Sequence, residues 1–89
     1  MKKFIYPGIF HKEDNAFWVE FPDLEGCQSF ADSLEEVYEN AGEALEGYLM
    51  SIIEKGGNPP AATNIYEIKI PDNAVVSLVH VALFEKLTA

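Results

Sequence analysis

The sequence predicts an α+β domain in which one long helix is packed on a small sheet that starts antiparallel, in the order β-β-β-α-(β)-β. Three observations carry that reading. Residues 16–21 set Phe17, Val19 and Phe21 against Ala16, Trp18 and Glu20 between two turn-forming clusters. From Leu34 to Ile53, apolar residues recur at the i, i+3, i+4, i+7 spacing of a helix with one buried face. Val75 to Leu83 is rich in β-branched residues and apolar on both faces, the pattern of a strand covered on two sides.

Each element follows in order. Residues 3–12 read as a first strand with Phe4, Tyr6 and Phe10 among its large side chains. Pro7 limits its pairing, because proline lacks the ladder donor. Glu13-Asp14-Asn15 is a turn, built from residues whose side chains bond nearby backbone. Strand two is 16–21, Pro22 to Gly26 is the next turn, and Cys27 to Ala31 is strand three, giving an antiparallel meander. Ser33 with Glu36 has the spacing of a capping box, and Glu35 and Glu36 suit the positive end of the helix dipole. Gly56-Gly57 and Pro59-Pro60 stop the helix. Gly47 inside it suggests close backbone packing. Residues 58–64 form a loop, 65–70 alternate like a short edge strand, and Pro71-Asp72-Asn73 turns the chain into the last strand.

Eighty-nine residues form a single domain, 1–89, and 48% of them are hydrophobic, enough for a modest core. A domain this small gains from association, so a homodimer or higher homo-oligomer is expected. The chain has 15 acidic residues, 6 lysines and no arginine, hence a net charge of −9. Nucleic-acid backbones and anionic membranes are poor partners for such a surface; a basic protein suits it. One cysteine excludes an internal disulfide framework and fits a reducing compartment. With no signal-like segment and no run of roughly 20 apolar residues, a cytoplasmic location is expected.

Chemistry-bearing residues are sparse. Glu20, Asp23 and Asp32 would have to converge for a metal-dependent nuclease, yet alternation sends Glu20 outward and the other two fall in separate turns. Cys27 has no second cysteine or nearby histidine and reads as a buried thiol. His11 and His80 read as structural residues rather than ligands. No phosphate loop, zinc spacing or nucleophile elbow is present, so neither catalysis, nor a metal, nor a cofactor is expected. Trp18 shares the outward side with Glu20, where it is either an interface anchor or tucked under the 58–70 loop. On exposure and charge, Trp18, Glu20, Asp23 and Glu25 are the candidate partner-binding residues.

Tyr6-Pro7-Gly8-Ile9, Pro22-Asp23-Leu24-Glu25-Gly26-Cys27 and Asp32-Ser33-Leu34-Glu35-Glu36, followed by the valine-rich last strand, resemble the HicB-like antitoxin family over nearly the whole chain. Glu25 stands where that family usually has proline, and Val37 where it has alanine. The resemblance implies a partial RNase H-like fold without catalytic acids. It also implies an antitoxin that covers the active site of a small basic HicA-type toxin, an mRNA-cleaving protein. Many members carry a C-terminal operator-binding module; the 89 residues stop soon after the last strand, so operator binding is not assigned. The alternatives are an orphan scaffold or RNA-binding member with no toxin, and a relic metal-dependent nuclease.

Overall fold

Two-residue alternation decides the architecture. The computed structural model describes residues 2–83. It contains β1 (Lys2–Glu13), β2 (Ala16–Glu20), β3 (Gln28–Ala31), α1 (Leu34–Glu54) and β4 (Ala74–Leu83). The strands form one antiparallel sheet in the order β3-β2-β1-β4. Asp14 takes a left-handed conformation (φ 48°) in the two-residue turn that places Glu13 opposite Ala16. An aspartate tolerates that region better than most side chains. Gly26 (φ 81°) closes the second turn, where the N–H of Phe21 donates to the carbonyl of Cys27 at 3.1 Å.

α1 covers one face. Its buried residues Val37, Ala41, Leu45 and Leu49 are four apart and meet Tyr6, Phe10, Val19 and Val79 of the sheet, with Phe21, Leu24 and Cys27 closing the core. The Ser33 hydroxyl accepts from the N–H of Glu36 at 3.1 Å, the first half of the expected capping box. At the other end Gly56 (φ 79°) donates to Ile53 and Gly57 to Ile52, the paired bonds of a Schellman stop. Glycine, having no Cβ, takes that φ without steric cost. Among the described residues, no helix is long and apolar enough to cross a membrane.

Three expectations are corrected. Residues 65–70 are not an edge strand: Ile65–Glu67 make a 3₁₀ turn begun by Asn64, whose side-chain oxygen accepts from the N–H of Tyr66. Tyr66 and Ile70 are exposed, so the alternation there buries nothing that would hold a strand in register. β4 is apolar on both faces but lies at the edge of the sheet, with Val75 and Leu78 exposed. The inner strands are β1 and β2 instead, and Pro7 is accommodated because β2 pairs only with Ile9–Glu13, leaving one flank of β1 without a strand at Pro7. Gly47 is exposed and a Cβ there would meet nothing within 4 Å, so no close packing accounts for it.

Candidate functional site

On the face away from α1, the register puts three rings in one row. His11 of β1 is opposite Trp18 of β2, and Trp18 is opposite Phe30 of β3. The His11 and Trp18 rings stack at 3.9 Å with 8° between planes; Trp18 and Phe30 lie 6.4 Å apart at 24°. Directly opposed side chains are the closest neighbours a sheet offers, so the ladder itself builds this stripe. Phe30 is 64% exposed, and Trp18 is half-buried between its two neighbours.

Carboxylates frame the stripe. One residue pair along, Glu20 sits between Ile9 and Gln28, and its Oε2 lies 2.6 Å from His11 Nε2. An ionised carboxylate only accepts, so Nε2 carries the hydrogen of this bond, which fixes the imidazole against the indole. On the other side of the row an open cleft of about 650 Å³ is lined by Phe17, Trp18 and Phe30 together with Glu13, Asp32 and Glu36. No lysine lines it. Aromatic surface beside several carboxylates is the chemistry that receives a lysine or arginine side chain.

The sequence candidates separate. Trp18 and Glu20 share the open face. Asp23 does not join them: both its carboxylate oxygens are engaged by Thr63, one by the backbone N–H at 2.9 Å and the other by the hydroxyl. With the bond from the Tyr6 hydroxyl to the Pro60 carbonyl, Asp23 fastens the 58–64 loop to the sheet. Glu25 is exposed in its turn, and its carbonyl accepts from the Tyr48 hydroxyl at 2.8 Å. Glu20, Asp23 and Asp32 do not converge, and among the described residues no three His, Cys, Asp or Glu are grouped to hold a metal ion. Burial pushes the Cys27 thiol up to about 11, which keeps it protonated and unreactive. Burial, and secondarily Asp23, also raises the Tyr6 hydroxyl.

His11 and Phe30 were not legible as site residues from composition or motif. The signals that find them are the two turns: Asp14-Asn15 sets the β1–β2 register that brings His11 opposite Trp18, and residues 21–27 set the β2–β3 register that brings Phe30 opposite it.

A family described as the HicB_like antitoxin of bacterial toxin-antitoxin systems matches residues 6–87. No curated protein matches the chain. Among solved structures, the N-terminal domain of Burkholderia pseudomallei antitoxin HicB is 27% identical, with a TM-score of 0.73 over 90% of this chain and 100% of that one. A HicA3 and HicB3 toxin-antitoxin complex gives 23% identity and a TM-score of 0.68 over 85% of this chain and 95% of that one. A toxin-antitoxin complex from Streptococcus pneumoniae gives 21% identity and a TM-score of 0.81 over 99% and 82%. These last two likenesses show the α+β fold.

Proposed function

The chain belongs to the HicB-like antitoxin family of bacterial toxin–antitoxin systems, and from that premise we propose that it is a non-catalytic module neutralising a small basic HicA-type toxin. The observation that carries this reading is the aromatic row on the open face, framed by carboxylates and beside a cleft without a basic residue. Trp18 and Phe30 supply apolar surface that loses water on contact, the usual source of interface affinity. Glu13, Asp32 and Glu36 receive the toxin's lysine or arginine side chains, while Glu20 steadies His11. Inhibition is steric: the antitoxin lies across the toxin's active site and keeps RNA out. The −9 charge speeds encounter with a basic partner and disfavours wrong ones. In this reading the protein acts in the cytoplasm, binds no nucleic acid or membrane itself and needs no metal or cofactor.

The test is co-expression with the small protein encoded beside it, followed by co-purification and an RNA-cleavage assay with and without the chain. A complex that silences cleavage is expected. A well-folded chain that neither binds its neighbour nor slows cleavage would overturn the reading. Glu13→Lys with Asp32→Lys should slow association and weaken its dependence on salt, since exposed charges act over a Debye length of about 10 Å at 0.1 M.

A further inference from the structure

The indole of Trp18 has two different faces. His11 covers one at 3.9 Å with 8° between planes, and His11 does not line the cleft. The other looks towards Phe30, and these two rings, 24° apart in plane, form a wall of the cleft. Glu13, Asp32 and Glu36 stand around them. Among the described residues, no ion pair and no hydrogen bond uses any of these three carboxylates. Lys12, beside Glu13 in the chain, neither lines the cleft nor pairs with an acid. Glu36, three residues after Ser33, has the place from which a carboxylate reaches back to the capping N–H. Only the forward half of that exchange forms, from the Glu36 N–H to the Ser33 hydroxyl, and Glu36 lines the cleft instead.

Like charges around one opening repel, and a cation between them relieves that cost. The three are not grouped to hold a metal ion, so the cation that suits them is a broader one. Lysine and arginine differ here. An ammonium is a compact, strongly hydrated charge; a guanidinium is flat, less hydrated and carries five donors in one plane. It can lie on an aromatic face while its rim donates to carboxylates on more than one side. We propose that the cleft is an arginine site. One arginine of the partner stacks its guanidinium on the Trp18–Phe30 wall and donates to Asp32 and Glu36, whose spacing the Ser33 cap fixes; Glu13 adds charge at the rim. The inference rests on the toxin-binding reading for the source of that arginine, and narrows it from basic side chains in general to one kind.

The preference is measurable without the toxin. Trp18 is the only tryptophan, so its emission reports the cleft. Titration with acetyl-Gly-Arg-Gly-amide should shift that emission and saturate with a Kd on the order of millimolar. The lysine tripeptide should bind roughly three- to fivefold more weakly, and the citrulline tripeptide, flat but uncharged, should not saturate. Asp32→Asn with Glu36→Gln should abolish the arginine response. Glu39→Gln with Glu43→Gln, the same change of charge away from the cleft, should leave it intact. Equal binding of lysine and arginine, an arginine response that survives Asp32→Asn with Glu36→Gln, or a folded chain silent to all three peptides would overturn the proposal. In each of those cases a complex with the neighbouring small protein would leave the toxin reading standing. Arginine selectivity in a chain that ignores its neighbour would keep the site and remove the toxin as its source.

Discussion

The helix-covered face and the open face of this sheet are built from the same strands, one residue apart. Phe17, Val19 and Phe21 point into a core where Val19 is fully buried; Trp18 and Glu20, between them, point to the solvent side. Among the described residues the covered face contains no buried charged residue, and its aromatic residues meet apolar neighbours. The open face spends its rings and carboxylates in pairs such as His11 with Glu20 and His11 with Trp18. The difference teaches that side-chain parity divides the packed core from the exposed rings and carboxylates, so substitutions at neighbouring positions should separate stability from the proposed toxin binding.

The largest effect belongs to the covered face. Leu45→Ala removes a fully buried side chain and should cost about 2–5 kcal/mol, seen as a lowered midpoint in urea unfolding. Loss of the covered-face contacts without loss of stability would break the comparison. Trp18→Ala should do the opposite: it should weaken toxin binding by about 2 kcal/mol, roughly thirtyfold in Kd by calorimetry, and leave a folded chain. Collapse of that variant would place Trp18 with the core.

Alkaline titration probes the covered face through Cys27 and Tyr6. The folded Cys27 thiol ionises near 11 rather than its ordinary 9.0, so the unfolded chain releases that proton first. The stability contribution is complete below pH 9 and is lost as pH rises from 9 towards 11. Tyr6, also raised from 10.0, acts in the same direction. Cys27→Ala should flatten the thiol's part of that decline in urea midpoints taken across this range. The smallest effect lies on the far side of the helix. Gly47→Ala should stabilise by up to about 1 kcal/mol, raising Tm by about 4–8 °C, because nothing occupies the space its methyl would fill.

Local chemistry made most of the fold legible. The Ser33 cap, the Gly56-Gly57 stop and the four-residue spacing of Val37 to Leu49 act within a turn or two of chain, so the sequence states them directly. The outward side of Trp18 and Glu20 follows from strand parity in the same way. Asp23 misled because an acidic residue in an exposed turn looks available; its partner, Thr63, is forty positions away.

The sequence by itself determined the family, the order of the main elements, the single helix and its bounds, and the absence of any local catalytic motif. Tertiary structure alone decided which strands are inner, that 65–67 coil into a 3₁₀ turn, and that His11, Trp18 and Phe30 stand in one row. The physical reason is range. Caps, stops and amphipathic spacing are set by neighbours along the chain, whereas strand order and cross-strand partners depend on which distant backbones share hydrogen bonds. An apolar strand such as β4 reads the same at the centre of a sheet as at its edge until its neighbours are known.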